Sequence, residues 1–203
     1  MRLKELPFKF SIFRQRRIIE GMRLLNDTLR DSPAHNLYWI CGGALLGWAR
    51  DGALIKHDTD IDFHYWHEDT DKLNAGFDLL IAVGFKPLCR WKNTNGEITE
   101  HVLAYKGIKF EFFSAKKVGG NTQCTVYASK IHAGIPPTEL LCETPGCELE
   151  EFEFYGRKWL KPADHESYLD RQYGNWRVPD PNHYHAHTPA VISQKLLPGR
   201  IPW

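Results

Sequence analysis

The sequence predicts an α+β fold in which helices flank a mixed β-sheet. Apolar residues recur at helical spacing over residues 12–29, and polar and apolar residues alternate over residues 60–65. Short segments rich in β-branched and aromatic residues, separated by glycine-containing turns, fill residues 85–114. This mixture of helices and strands is typical of a sheet covered by helices.

Four helices are predicted, at residues 12–29, 44–50, 71–83 and 163–173. The first has an apolar stripe with arginines on its other faces, as in an amphipathic helix packed on a core. The second follows the pair Gly42-Gly43, which turns a strand sharply into a helix. The third ends at Gly84, and the fourth begins after Pro162 and ends at Gly174.

Strands are predicted at residues 37–41, 60–65, 85–91, 98–105, 108–114 and 149–154. The first is a continuous apolar run, which is typical of a buried strand. Turns at residues 93–96 and 106–107 join the segments from 85 to 114 into an antiparallel meander beside the acidic strand. Residues 119–149 carry only weak signals.

The length and composition are those of one globular domain. The chain has 203 residues, of which 42% are hydrophobic and 25% charged, enough to bury a core. We expect a single domain over residues 1–203, with an N-terminal helical segment over 1–36 and an irregular C-terminal wrap over 180–203. A net charge of +1 gives no electrostatic reason to expect nucleic acid as a partner.

Cysteine content and hydropathy predict the cellular location. The five cysteines form no CxxC pair, which favours reduced thiols over a disulfide framework. Nowhere do eighteen apolar residues run together, so no transmembrane segment is predicted. The expected location is the cytoplasm, although a soluble domain cut from a membrane-anchored protein has the same composition.

The acidic strand says most about chemistry. Asp60 and Asp62 alternate with Ile61 and Phe63, so the two carboxylates point to one face, separated by about twice the 3.3 Å rise of a strand. Carboxylates at that spacing can reach one Mg²⁺ or Mn²⁺ ion, or two close ones. A polar edge strand is the alternative interpretation.

The glycine pair adds a feature that suits phosphate. Gly42 and Gly43 lack a Cβ, so their N–H groups can approach phosphate oxygens at the positive end of the helix that follows. Arg50, at the end of that helix, is a candidate phosphate clamp, with a surface ion pair as the alternative. A glycine-initiated helix followed by paired acids predicts phosphoryl-group chemistry.

Two motifs resemble the LicD/fukutin family of the nucleotidyltransferase-fold superfamily. The first is Gly-Gly-Ala-Leu-Leu-Gly-Trp-Ala-Arg at residues 42–50, continued by Asp-Thr-Asp-Ile-Asp at 58–62. The second is Tyr-Gly-Asn-Trp at 173–176, followed by Pro179. Their order agrees with the family, so the resemblance spans residues 37–179 and implies a nucleotidyltransferase-like mixed sheet.

The resemblance implies a metal-dependent transferase. Such an enzyme moves a phospho-alcohol of the phosphocholine, ribitol phosphate or glycerol phosphate type from a CDP-activated donor to a hydroxyl of a glycan or glycolipid. It also implies that Asp60 and Asp62 bind Mg²⁺ or Mn²⁺ with a third acid from a later strand, for which Glu111 is the candidate. These three are the predicted catalytic and metal-binding residues; the predicted substrate-binding residues are Gly42, Gly43, Arg50, Lys56 and Asp58.

Other interpretations remain open. A nucleotidyltransferase that moves NMP from an NTP to RNA, protein or a small molecule has a similar site, and a non-catalytic nucleotide- or glycan-binding domain would keep the fold. The general base is undecided among Asp62, Glu111 and a histidine. Lys56 has a neutral loop substitution as its alternative. The histidines of residues 64–67 and 183–187 offer transition-metal ligands, although polar loops carry many histidines without such a role.

The aromatic residues of the last motif have two interpretations as well. Their helical spacing predicts that Tyr168, Tyr173 and Trp176 pack in the core. Stacking on a base or a sugar is the alternative.

Overall fold

In the computed structural model, the backbone is described for residues 6–130, 135–180, 183–196 and 200–202, and the side chains for residues 12–128, 138–180 and 183–195. The helices within these ranges are α1 (Leu6–Leu29), α2 (Gly42–Asp51), α3 (Thr70–Ala82) and α4 (His165–Tyr173). All four predicted helices are present, and α2 begins at the glycine pair itself rather than after it. None of these described helices is long and apolar enough to cross a membrane.

The strands are more numerous than the sequence predicts. In chain order they are β1 (Tyr38–Ile40), β2 (Asp60–Trp66), β3 (Lys86–Lys92), β4 (Ile98–Tyr105), β5 (Ile108–Val118), β6 (Asn121–Lys130), β7 (Ile135–Pro145), β8 (Leu149–Phe154), β9 (Arg157–Pro162), β10 (Val191–Leu196) and β11 (Arg200–Pro202). The six predicted strands correspond to β1, β2, β3, β4, β5 and β8. The α+β fold with a mixed sheet is confirmed.

Nine of the described strands form one sheet. The strand order is β10-β7-β6-β5-β4-β3-β11, and β2 pairs with β5 in parallel while β1 pairs with β2. The other neighbours are antiparallel, so the predicted meander of β3, β4 and β5 beside the acidic strand is confirmed. Strands β8 and β9 form a separate hairpin.

The large sheet is strongly curved. Strands β10 and β11 lie at its opposite ends in the strand order, yet the four-residue step from Leu196 to Arg200 spans at most about 14 Å. Seven flat strands would place those ends about 29 Å apart. A side-chain contact also indicates the curvature. Trp91 of β3 stacks on Tyr127 of β6 with ring centroids 4.9 Å apart, although two strands lie between β3 and β6 in the sheet.

The main core lies on the face of β2 and β5 opposite the acids. Phe63 and Phe112 stack there at 4.9 Å and are completely buried. Helices α1 and α3 cover them with buried side chains, which are Ile18, Met22, Leu25, Leu29, Leu73, Phe77 and Leu80. Alternation along β2 therefore directs the apolar residues into the core and the acids to the other face.

The later part of the chain contains strands that the sequence did not predict. Residues 119–149 contain the two long strands β6 and β7, which pair with each other over most of their length. The segment 180–203 is not wholly irregular, because its strand β10 pairs with β7 and its strand β11 pairs with β3. The strands β10 and β11 pair with strands distant in sequence, whereas β6 and β7 are consecutive in the chain and lack a clear local apolar pattern.

Candidate active site

Strand register brings the predicted acids to one face of the sheet. Asp62 of β2 is the parallel register partner of Glu111 of β5, so the side chains of Asp60, Asp62 and Glu111 share a face. A fourth acid on that face was not predicted. Glu100 of β4 lies opposite Phe113, two residues beyond Glu111.

Asp62 is the most buried of the predicted acids. Burial raises the pKa of its carboxyl well above the usual range, and the nearby carboxylates of Asp60 and Glu111 raise that pKa further. The backbone around it is fixed, because the Cys41 N–H donates a hydrogen bond to the Asp62 carbonyl at 3.1 Å. A cation placed among these carboxylates would relieve their mutual repulsion.

Glu111 has a basic partner. The Lys109 ammonium lies 3.0 Å from Oε1 of Glu111, and the Glu111 side chain is 15% exposed. Burial raises the pKa of Glu111, while Lys109 opposes that shift. Lys109 is therefore an additional residue of the site, and it stands two residues before Glu111 on the same strand face.

The glycine pair lies against two aspartates. A Cβ on Gly42 would stand 2.3 Å from Oδ2 of Asp62, and a Cβ on Gly43 would stand 2.7 Å from Oδ2 of Asp58. The Gly42 N–H donates to the Tyr168 hydroxyl at 3.4 Å. In this structure the glycines let the acidic residues approach α2, and the predicted contact of their N–H groups with phosphate stays a prediction.

The remaining predicted substrate-binding residues surround a second part of the site. Burial, followed by the charge of Asp60, raises the pKa of Asp58 to about 6, while Arg50 lowers it. Nε of Arg50 lies 3.0 Å from Asp51, and its side chain is mostly buried. Arg50, Lys56 and Asp58 line the same cavity.

Two cavities meet at the paired aspartates. The larger has a volume of about 900 Å³ and is lined on one side by Arg50 and Lys56. The smaller has a volume of about 330 Å³ and is lined by Lys109, Glu111 and Glu100. Asp60 and Asp62 border both cavities, an arrangement that suits a reaction between two substrates.

Residues after α4 complete the larger cavity. Tyr173, Trp176 and His183 line it, and Tyr173 also borders the smaller cavity. Burial raises the pKa of Tyr173 well above the usual range, and Asp62 adds to the shift, so the phenol stays protonated beside the acids. Trp176 and Tyr168 belong to the main core, as their spacing predicts, and Tyr173 packs against it. The motif thus has residues in both the core and the site.

The carboxylate oxygens of the acidic face are suitable ligands for a hard divalent cation. Asp60, Asp62 and Glu111 supply carboxylate oxygens, the ligands that Mg²⁺ and Mn²⁺ prefer. Among the side chains that the structure describes, no group of three His, Cys, Asp or Glu residues is already arranged to hold a metal ion. Metal binding by these acids stays a prediction, and metal binding by the histidines of residues 64–67 and 183–187 stays an open alternative.

The mixed sheet, the paired acids of β2 and the helix that begins at Gly42 agree with the nucleotidyltransferase-like fold that the sequence resemblance implies. Residues 36–125 match the family model described as LicD/FKTN/FKRP, nucleotidyltransferase domain. The match supports the assignment of this chain to the LicD family. All eight predicted site residues lie within the matched range.

Comparisons over the whole chain add little. No curated protein matches it. Among solved structures, the crystal structure of ANT(2")-Ia in complex with adenylyl-2"-tobramycin is similar, with 20% sequence identity and a TM-score of 0.34. The match covers 50% of this chain and 50% of that one, so half of this chain corresponds to half of that structure. The likeness says nothing of this chain's substrate.

Proposed function

We propose that this domain transfers a phospho-alcohol from a CDP-activated donor to a hydroxyl of a glycan or glycolipid, with Mg²⁺ or Mn²⁺ as cofactor. The observation that supports it most is the position of Asp60 and Asp62, which share a sheet face with Glu111 at the junction of two cavities. A domain in the LicD family with this arrangement has room for a donor and an acceptor on either side of the reacting phosphorus.

The basic residues and the three predicted metal-binding acids have distinct roles in this reaction. Arg50 and Lys56 bind the pyrophosphate of the donor in the larger cavity, where both line the wall. Asp60, Asp62 and Glu111 hold the divalent cation, and Lys109 restrains Glu111 through their ion pair. When bound, that cation neutralises phosphate charge and polarises the phosphorus under attack.

The transfer itself needs no covalent bond to the protein. The acceptor hydroxyl oxygen forms a bond to the phosphorus that carries the alcohol, the bond from that phosphorus to the CMP oxygen breaks, and CMP leaves. The hydroxyl proton passes to a base, for which Asp62, Glu111 and a histidine are candidates. Tyr173 stays protonated beside the acids and donates its O–H to a substrate oxygen.

The first test is replacement of the paired aspartates. Asp60→Asn and Asp62→Asn remove a negative charge from the cation site while keeping the side-chain size, so we expect each to lower CMP release from CDP-choline, CDP-ribitol or CDP-glycerol by at least about a hundredfold. The assay measures CMP with and without Mn²⁺. Turnover that survives both substitutions would contradict the proposed function.

A control variant and a comparison with NTPs as donors make this test specific. Asp78 is exposed on α3, so Asp78→Asn makes the same chemical change away from the site and should leave CMP release unchanged. Thermal unfolding with each CDP-alcohol and each of the four NTPs reports donor binding, because a ligand bound only by the native state raises Tm. Pyrophosphate release from an NTP, without CMP release from any CDP-alcohol, would establish the nucleotidyltransferase alternative instead.

A further inference from the structure

Glu100 is a buried acid for which the proposed transfer has no role. It is 4% exposed and lines the smaller cavity. None of the described residues donates a hydrogen bond to its carboxylate or forms an ion pair with it; Lys109 affects it only at longer range. Because ionisation of a buried carboxyl without a partner is unfavourable, a positively charged ligand in the cavity would be held by the charge that it allows Glu100 to carry.

The charge balance of the smaller cavity favours a positively charged ligand. Four carboxylates line this cavity, and Lys109 is the lysine that faces them. When all four are ionised, Lys109 and one divalent cation together leave one carboxylate without a counter-charge. His64 cannot supply it at neutral pH, because burial lowers its pKa to about 4.

The surroundings of Glu100 are aromatic on both neighbouring strands. In β3 its register partner is Trp91, and in β5 it is Phe113. Trp91 in turn stacks on Tyr127 with an angle of 21° between the rings. All three aromatic residues line the cavity with Glu100. Aromatic rings beside a carboxylate are the surroundings that bind alkylammonium groups, through cation–π and charge attraction together.

We propose that Glu100 and the stacked pair Trp91–Tyr127 bind an ammonium group carried by one of the two substrates. The inference deepens the proposed function, since it places a positively charged group, on the transferred alcohol or on the acceptor, in the smaller cavity. The ligand is an amino alcohol in the first case and an amino sugar in the second. Glu100 acts as a binding and specificity residue, because it is separated from the paired aspartates by the strand that carries Glu111.

Binding of small probes tests the inference without a donor. We expect choline to bind more tightly than its neutral isostere 3,3-dimethylbutan-1-ol, or glucosamine more tightly than glucose, in the presence of Mg²⁺. Titrations followed through the Trp91 indole N–H resonance give the dissociation constants. Glu100→Gln keeps the shape of the side chain and removes its charge. It should therefore raise the dissociation constant of the preferred cation about tenfold and leave that of the neutral probe unchanged.

One further variant and one further measurement control this experiment. Glu97 stands on the same hairpin outside the smaller cavity, where it pairs with Lys116, so Glu97→Gln should keep the preference for the cation. Glu100→Gln should also raise Tm in the absence of ligand, because it removes a buried carboxylate whose pKa is raised by burial and by Glu111. A rise in Tm also establishes that the variant folds.

The remaining outcomes overturn the inference. One is equal binding of the charged and neutral probes, and another is a preference for the charged probe that survives Glu100→Gln. The third is that Glu100→Gln loses affinity for Mn²⁺ while choline and glucosamine bind as they do to the wild-type protein. The last result would make Glu100 a metal ligand. Failure of the proposed function is distinguishable, because it would appear as CMP release that does not depend on Asp60 and Asp62, whatever the cation titrations show.

Discussion

At the scale of single residues, Gly42 determines how closely Asp62 can approach α2. Its φ of +56° lies in the left-handed region, and a Cβ there would stand 2.3 Å from Oδ2 of Asp62. Both constraints require glycine, one through the backbone and the other through the neighbouring carboxylate. The position couples the first turn of α2 to the central acid of the site.

We therefore predict that Gly42→Ala lowers both stability and activity. The left-handed backbone costs about 1–2 kcal/mol for a residue with a Cβ, and the carboxylate of Asp62 must also move. Chemical denaturation measures the loss of stability, and CMP release per folded molecule measures the displacement of Asp62. We expect activity to fall by at least about tenfold, since an acid shifted by a fraction of an ångström no longer holds its ligand.

Gly52 is a matched control for this variant. It ends α2 with a φ of +64°, and nothing lies within 4 Å of the position of its missing Cβ. Gly52→Ala has the same backbone cost and displaces no carboxylate, so it should lose stability while folded molecules keep their activity. Equal activity losses in the two variants would show that the contact between Gly42 and Asp62 is unimportant.

At the scale of secondary-structure elements, α1 packs unusually close to the sheet at Gly21. A Cβ on Gly21 would lie 2.4 Å from Cζ of Phe110 in β5 and 3.1 Å from Tyr105. Phe110 is completely buried and packs edge-on against Phe85 at 5.2 Å, so its ring has no space into which to move. The close approach places α1 directly on the strand that carries Glu111.

Gly21→Ala should consequently destabilise the protein, although alanine is the better helix former. Alanine gains about 1 kcal/mol in helix propensity, whereas overpacking of a close-packed core costs about 1–3 kcal/mol. We expect a net loss of about 1 kcal/mol, and thermal unfolding should show Tm lower by about 2–4 °C.

An exposed position on the same helix separates packing from propensity. Arg16 is exposed on α1, so Arg16→Ala should leave Tm within about 2 °C of the wild-type value. If Gly21→Ala raised Tm instead, the close contact between α1 and β5 would be wrong.

The elements also show how far the sequence predicts the site. The two-residue turn at Lys106-Gly107 fixes the register of β4 and β5, with Tyr105 opposite Ile108 and Glu100 opposite Phe113. Counting along this hairpin from the sequence alone would have placed Glu100 on the face that carries Glu111. The signal was present, but a single glutamate in an otherwise mixed strand has no motif to mark it.

Other parts of the fold are not readable from local sequence. Asp60 and Asp62 could be assigned to one face because period-two alternation is local, while their pairing with β5 depends on a parallel contact across 49 positions. Strand β7 contains three prolines, which usually argue against a strand, yet it pairs with both β6 and β10. Such strands become recognisable only with their partners.

At the scale of the whole molecule, the C-terminal strands protect both edges of the curved sheet. Strand β10 pairs with β7 at one edge, and β11 pairs with β3 at the other. The smaller cavity lies inside this curve, since residues of β2, β3, β4, β5, β6 and β7 all line it. Exposed edges would be free to exchange and to associate with other chains.

We predict that removal of residues 191–203 loosens the two edges selectively. Strands β7 and β3 lose the hydrogen bonds of one partner each, worth about 1 kcal/mol per bond. Hydrogen exchange should become at least about tenfold faster for those amides of residues 139–142 and 89–91 that point to the removed strands, which are every second amide of an antiparallel strand. Amides of β4 and β5, which keep both neighbours, should retain their protection.

A substitution within β10 gives the control for this truncation. Gln194 is exposed, and Gln194→Ala leaves the backbone bonds of β10 in place, so exchange at both edges should match the wild-type protein. Unchanged exchange at residues 89–91 after the truncation would mean that β11 does not protect β3, and closure of the sheet would then rest on β10 alone. Faster exchange throughout β4 and β5 would instead mean that the C-terminal strands stabilise the entire sheet, because a protected centre requires that the edges open independently.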